Sequence, residues 1–250
     1  MTYNERSALS VGLHMGPDTA VLLPAYNEAD HIGNLLRRIR EIAPESPCVV
    51  VDDGSTDHTA ELAREAGAFV ISHPFNMGYG VALQTGYKFV VRRGYSYLVQ
   101  LDADGQHDPR FIPVLWERVA SGHCDLCIGS RFLEGETYSI PFARRAGMFL
   151  FRRIASALVR TTITDPTSGY QAMNRRVLDF FIKDIYPTDY PDTDVLVMLY
   201  RNQFRIAEAP VIMHAAQPGK SIHSGLKPVY YLFKMALDIP LNLIRREEKQ

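Results

Sequence analysis

Short apolar runs alternate along the first hundred residues with segments whose apolar positions recur at helical spacing. Ala20-Val21-Leu22-Leu23 ends at Pro24, and Ile32, Leu35, Leu36 and Ile39 then recur every three or four residues with Arg37, Arg38 and Arg40 between them. Cys48-Val49-Val50-Val51 ends at Asp52-Asp53-Gly54-Ser55 and is followed by a helical run, Thr59 to Ala66, stopped by Gly67. Phe69-Val70-Ile71 gives a third strand, Val81 to Arg92 a third helix, and Tyr95 to Leu101 a fourth strand running into Asp102. Uninterrupted apolar strands between amphipathic helices predict a mostly parallel, twisted α/β sheet with helices on both faces and right-handed crossovers.

The second half is less regular. Asp125 to Ile128 reads as strand, Phe142 to Val159 as helix, Asp165 to Met173 as a polar turn leading into an apolar segment, and Ala207 to Met213 as a late strand. No internal repeat beyond the βα units and no low-complexity linker marks a second domain. The chain divides into a flexible or docking tail at 1–18, one α/β domain at 19–225, and a C-terminal amphipathic helix at 226–250.

Ligands of such sheets sit beyond the carboxyl ends of the strands. Pro24 to Glu28, Asp52 to Asp57 and Asp102 to His107 all follow strand ends, so three polar clusters far apart in sequence are expected to converge on one edge. In Asp102-Ala103-Asp104 two carboxylates at alternating positions can face one pocket and hold a hard divalent cation, and Gln106 adds a neutral oxygen. A cation there would bridge a diphosphate and neutralise charge on a departing nucleotide diphosphate. The competing reading is a solvated acidic turn.

Composition sharpens this locally rather than globally. With 27 Lys and Arg against 28 Asp and Glu in 250 residues, the molecule has no net basic field, which argues against a nucleic-acid partner and makes any anion site local. Its 46% hydrophobic content suffices for one large core. Three cysteines, with no signal-peptide pattern and no apolar run of roughly 18–20 residues, fit a reducing, cytoplasmic setting and a soluble or peripheral protein. Cys124 and Cys127 form a CxxC across a strand start, where an offset of three places side chains on opposite faces and speaks against ligation or redox chemistry.

The ordered set Pro24-Ala-Tyr-Asn-Glu-Ala29, Asp52-Asp-Gly-Ser-Thr-Asp57, Asn76-Met-Gly-Tyr-Gly80, Leu101-Asp-Ala-Asp-Gly-Gln-His-Asp-Pro109, Gly129-Ser-Arg131, Asp165-Pro-Thr-Ser-Gly-Tyr-Gln171 and Gly219-Lys-Ser221 spans roughly residues 20 to 225. In these motifs and their order the chain resembles the family-2 glycosyltransferases of GT-A (Rossmann-like) fold, and among them polyprenyl-phosphate sugar synthases of the dolichol-phosphate mannose synthase type. The resemblance implies an inverting hexosyl transfer from a UDP- or GDP-linked sugar, with Mg²⁺ or Mn²⁺ held by Asp104 and Gln106 and supported by Asp102. It further implies that Pro24, Ala25, Tyr26 and Glu28 frame the nucleoside pocket, that Asp53 with Asp52 reads base or ribose, and that Asp102, Ala103, Gly78 and Lys220 belong to the nucleotide-sugar site.

On the acceptor side the candidates are Arg131, Arg145, Ser168, Gly169 and Ser221, because a phosphate acceptor needs cations and guanidinium grips it bidentately. Arg144 is a further candidate, and for Arg144 and Arg145 alike a solvated helix face is the competing reading. Family members with a hydroxyl acceptor carry an acidic base; here Asp192 in Tyr190-Pro-Asp-Thr-Asp194 is the positional match and Asp194 the fallback. A lipid phosphate is already ionised and needs no base, so the departure from a Glu-Asp pair leans towards polyprenyl phosphate over a glycan hydroxyl. Capping of the helix at Thr59 by Ser55 or Asp57 competes for the Asp52 to Asp57 cluster, and a tight turn competes for Gly78; a dinucleotide fold is disfavoured because Leu83 stands where GxGxxG needs glycine.

From Lys227, the residues Lys234, Asp238, Asn242 and Arg245 follow at offsets of 7, 4, 4 and 3, a narrow polar stripe on an otherwise apolar helix that Pro240 kinks. It suits a membrane headgroup region on the inner face, a membrane subunit, the chain's own domain or a homodimer. A non-catalytic sugar-nucleotide-binding partner of a membrane protein is the alternative from another class.

Overall fold

The computed structural model describes residues 15–133, 163–184, 186–188, 191 and 193–214. Most of the tail, the helix read at Phe142 to Val159 with Arg144 and Arg145, Asp192, Lys220, Ser221 and the C-terminal helix lie outside them.

The elements in chain order are β1 (Thr19–Ala25), α1 (Ala29–Ile42), β2 (Cys48–Asp52), α2 (Thr59–Glu65), β3 (Phe69–Ser72), α3 (Tyr79–Arg92), β4 (Tyr97–Gln100), a 3₁₀ turn at Pro109–Phe111, α4 (Ile112–Ala120), β5 (Leu126–Ser130), β6 (Gln171–Asn174), α5 (Arg175–Phe181), α6 (Thr193–Arg201) and β7 (Ile206–Pro210). The seven strands form one sheet in the order β3-β2-β1-β4-β6-β5-β7. Only β6 runs antiparallel to its neighbours β4 and β5.

Strand alternation sorts the core into two layers. Val21, Leu23, Val50, Val99, Leu101 and Ala172 face α1 and α4, while Ala20, Leu22, Val49, Val51, Leu98 and Met173 face α3, α5 and α6. Gly86 lets α3 lie directly on β1, for a Cβ there would stand 2.4 Å from Leu22 Cδ1. The helix at residue 79 begins two residues before its expected start, directly after Gly78, whose φ of 102° favours glycine. Beyond β4 the chain adds three helices whose periodicity is not evident from the sequence, α4, α5 and α6.

Beyond Leu22 and Gln100, β1 and β4 part. Their register pairs Thr19 with Tyr97 through Leu22 with Gln100, and Leu101 N–H still donates to Leu22 C=O at 3.1 Å, after which β4 leaves as a loop. Pro24, which has no N–H to offer, lies in the part of β1 that has lost this neighbour. β2 lies on one side of β1 and β4 on the other, so the cleft opens at a topological switch point.

The two thiols of the CxxC are on the same side, against expectation: Cys124 and Cys127 are buried in one core cluster, unbridged. Cys124 sits in the turn ahead of β5, where strand alternation does not yet hold, and its Sγ lies 3.6 Å from Arg118 C=O. Contact with Cys127 lowers the pKa of Cys124, while that contact and burial raise the pKa of Cys127.

At the other end of the sheet, buried Asp125 ties β5 to its neighbours. It accepts from Arg205 N–H at 2.8 Å, Asn174 Nδ2 at 2.9 Å and Arg176 Nη1 at 3.3 Å. Burial raises its pKa, but these donors and the Arg205 charge outweigh that and hold it below the usual carboxylate range. The stability this provides is fully present above the unfolded value of about 3.9 and is lost as pH falls through the lower folded value. Urea melts should show Asp125→Ala costing about 2–3 kcal/mol at pH 7, with the gap from wild type closing below pH 4.

Candidate active site

The loops leaving β1, β2, β3 and β4 interlock through hydrogen bonds from one unit to the next. The loop after β1 turns at Asn27, whose φ is 55°, and its N–H donates to Ser55 Oγ at 2.9 Å while its Oδ1 accepts from Thr56 N–H at 2.8 Å. Glu28 N–H donates to Thr59 Oγ1 at 2.8 Å and Ala29 N–H to Asp57 Oδ2 at 3.1 Å, so the orphan donors that open α1 are satisfied by the next βα unit. Asp57, one position ahead of the N-cap His58, also accepts from Thr59 N–H, the first of α2, at 3.0 Å.

Asp52 and Asp53 have structural duties of their own. Asp52 Oδ1 accepts from Ser55 N–H at 3.1 Å. Asp53 Oδ1 accepts from Met77 N–H at 2.9 Å and meets His73 Nδ1 at 2.7 Å; its Oδ2 accepts from Gly78 N–H at 2.8 Å. His73 Nε2 lies 3.0 Å from Thr85 Oγ1. With 4% of its surface exposed, Asp53 serves first as the anchor of the 76–80 loop. Gly54 permits the close approach, since a Cβ there would stand 2.4 Å from the Phe75 carbonyl carbon. Pro24 and Ala25 are buried within β1, while Tyr26 is 45% exposed at the strand's end, with Phe75 and Met77 exposed on the loop after β3.

The 76–80 loop in turn reaches the acidic segment. Tyr79 Oη donates to Asp102 Oδ1 at 2.8 Å. Gly169 closes the third side: a Cβ on it would meet Tyr79 Oη at 2.9 Å and both Asp102 carboxylate oxygens at 3.1 Å. The Gly169 carbonyl accepts from Gln100 Nε2 at 3.2 Å, and Gln100 Oε1 accepts from Tyr87 Oη, so the last residue of β4 fixes the turn that frames its own continuation. Burial raises the pKa of Asp102, opposed by the Tyr79 hydrogen bond and the Arg131 charge.

Asp104 accepts from Gln106 N–H at 2.9 Å, and its other oxygen is contacted by the Gln106 side-chain amide. The two predicted ligands therefore touch, beside Asp102. Ala103 points into the core, so only its backbone belongs to the site. Among the described residues no three His, Cys, Asp or Glu side chains gather into a metal cluster, so the set on offer is two carboxylates and an amide. All-oxygen donors of this kind fit Mg²⁺ or Mn²⁺ rather than a softer ion.

Arg131 faces the same pocket from the end of β5. Its Nε donates to Asp165 Oδ2 at 2.6 Å and its Nη2 to Asp165 Oδ1 at 2.7 Å, a bidentate pair with a fully buried carboxylate. Glu208 on β7 supports that carboxylate by accepting from Thr164 N–H and Asp165 N–H, both at 2.8 Å. Burial is the main cause that raises the Glu208 pKa. Ser168 is buried in the turn that begins at Asp165. Asp194, the fallback base, is 2% exposed in the first turn of α6.

His107, at the end of the acidic segment, has its Nδ1 accepting from Asp102 N–H at 3.1 Å and its ring stacked on Tyr170 with centroids 5.0 Å apart. Tyr79, Gln100, Asp165, Tyr170 and Glu208 thus join the site although their roles were not anticipated. For Tyr79, Asp165 and Tyr170 the signal was their position inside quoted motifs; for Gln100 and Glu208 it was a polar residue inside an otherwise apolar strand.

A mostly parallel sheet thus carries an acidic loop at its switch point, with a glycine beside the carboxylate and a guanidinium on the far wall. The chain belongs to glycosyl transferase family 2, whose model matches residues 20–181. The polyprenol monophosphomannose synthase of Mycolicibacterium smegmatis is 32% identical over 87% of this chain and 85% of its own. The undecaprenyl-phosphate mannosyltransferase of Micrococcus luteus is 34% identical over 82% of this chain and 86% of its own. Among solved structures, glucosyl-3-phosphoglycerate synthase from Mycobacterium tuberculosis, in complex with Mn²⁺, UDP and phosphoglyceric acid, shares the fold with a TM-score of 0.70 at 20% identity, covering 99% of this chain and 84% of that one.

Two outcomes follow from the geometry. Asp53→Ala is expected to lower stability by about 2–3 kcal/mol and to speed amide exchange selectively at Met77 and Gly78, read by hydrogen-exchange mass spectrometry or NMR. Gly169→Ala should displace Asp102 and lower kcat/KM for glycosyl transfer by about 10–100-fold with little change in melting temperature.

Proposed function

We propose that this chain transfers a hexosyl group, with inversion, from a UDP- or GDP-linked sugar to a polyprenyl phosphate. The observation that carries the reading is the Tyr79–Asp102–Gly169 contact, which sets the acidic end of β4 against the turn running back to the Arg131–Asp165 pair. A donor diphosphate on the acidic side and an anionic acceptor on the guanidinium side would meet across that contact. The two mannosyl-transferring relatives above, with lipid phosphates in their names, support the acceptor class.

Asp104 and Gln106, with Asp102, would hold Mg²⁺ or Mn²⁺, which would supply charge neutralisation at the leaving diphosphate. Asp102 is fixed in direction by Tyr79, so its carboxylate is oriented before substrate arrives. Tyr26 and Glu28, with the backbone around Asp53 and Gly78, would frame the nucleoside. Arg131, braced through Asp165 by Glu208, would orient the acceptor phosphate, which is ionised at neutral pH and needs no proton removed. Lys220, Ser221 and Arg145 belong to this reading from sequence alone, as does the C-terminal helix as a contact with the inner membrane face, a membrane subunit or a second copy. No helix among the described residues is long and apolar enough to cross a membrane.

Purified protein should transfer sugar to undecaprenyl phosphate with Mn²⁺ or Mg²⁺ and lose activity in EDTA. Asp104→Asn should lower kcat by about 10²–10³-fold, and transfer should survive Asp192→Asn. Transfer confined to sugar hydroxyls and abolished by Asp192→Asn would overturn the lipid-phosphate acceptor.

A further inference from the structure

The imidazole of His107 has one nitrogen in use and one in reserve. Nδ1 accepts the Asp102 backbone N–H at 3.1 Å, which places the ring proton on Nε2. That Nε2 is buried and has no hydrogen-bond partner, in a side chain 1% exposed. Its neighbour is Asp102 Oδ2, 3.9 Å away. The ring is held in place on its other surface by Tyr170, which is itself pinned by donating from its Oη to Asp108 C=O at 3.1 Å.

A buried N–H left unpaired costs about 1–3 kcal/mol, and such a group in a folded protein calls for a reason, of which a functional role is one. Nε2 is buried from solvent, whereas the Asp102 side chain is about one-third exposed. One Asp102 oxygen is already fixed by Tyr79 Oη at 2.8 Å; the other faces His107. We infer that His107 is a positioning residue: its Nε2–H closes on Asp102 Oδ2 when the nucleotide and cation bind. Asp102 is then gripped on both oxygens, by Tyr79 and His107, with its backbone N–H held by the same imidazole. The inference rests on the proposal that Asp102 faces the nucleotide–cation complex.

Two isosteres separate the ring's two jobs. Asparagine keeps an acceptor near the Nδ1 position and loses the Nε2 donor; glutamine places a donor near Nε2 and loses the Nδ1 acceptor. The experiment is isothermal calorimetry of UDP and GDP with Mn²⁺ and with EDTA on wild type, His107→Asn and His107→Gln. Thermal melts of each protein and an imidazole ¹⁵N NMR spectrum of the metal-free wild type accompany it. The expected result is the Nε2–H tautomer, an affinity for the Mn²⁺–nucleotide complex weakened about tenfold or more in His107→Asn with melting temperature nearly kept, and His107→Gln less stable yet closer to wild type in affinity. A purely structural histidine would give the opposite split, with affinity following stability.

An Nδ1–H tautomer, or His107→Asn binding as wild type does, overturns the inference while leaving the site proposal intact. Wild type that binds nucleotide no better with Mn²⁺ than with EDTA overturns the site proposal and the inference with it. If His107→Asn does not fold, the tautomer and the affinity of His107→Gln decide: a glutamine variant that folds and binds more than tenfold more weakly overturns the donor role.

Discussion

Everything at this site depends on the parting of β1 and β4 after Leu22 and Gln100. Two parallel strands that continued side by side would leave no cleft and would use their backbone groups on each other. Pro24 removes a donor from β1 where its neighbour has gone, and β4 becomes the loop that carries Asp102 and Asp104. The antiparallel β6 then enters beside β4 with Gln171 paired to Gln100, which brings the Ser168-Gly169 turn to the mouth of the cleft. The placement of a glycine against the Asp102 carboxylate is a consequence of that register.

The acidic residues around the cleft solve a backbone problem before any chemical one. Loops at strand ends carry N–H groups without ladder partners, and burying them unpaired is costly. Asp57 accepts from Ala29 and Thr59, Asp52 from Ser55, and Asp53 from Met77 and Gly78. One chain of contacts therefore runs from the loop after β1 through Asp53 and Tyr79 to Asp102.

The opposite wall is organised by the same logic with charges. Arg131 would be a mobile cation on its own; bound bidentately to buried Asp165, which Glu208 holds through two backbone N–H groups, it has one direction. The pair adds little net charge to the pocket but fixes where the guanidinium lies. Pre-orientation of this kind is how a partly solvated site retains useful electrostatics.

The βα order, the mostly parallel sheet and the convergence of Pro24–Glu28, Asp52–Asp57 and Asp102–His107 were legible in the sequence, because strand and helix periodicities are local and ligand loops lie at strand carboxyl ends. Gly78 stands at the N-cap of α3 with a φ of 102°, a conformation that favours glycine. What tertiary structure decided was the duty of each polar atom. The resemblance implies that Asp53 reads base or ribose; the fold adds that its oxygens meet Met77 N–H, Gly78 N–H and His73, residues 20 or more positions away. Cys124 and Cys127 share a side because the turn before β5 suspends the alternation a strand would impose. The sequence by itself determined which residue types stand at the sheet's edge; only the packing decided which of them are spent on the chain's own N–H groups and which face the cleft, since hydrogen-bond partners are set by distance in space.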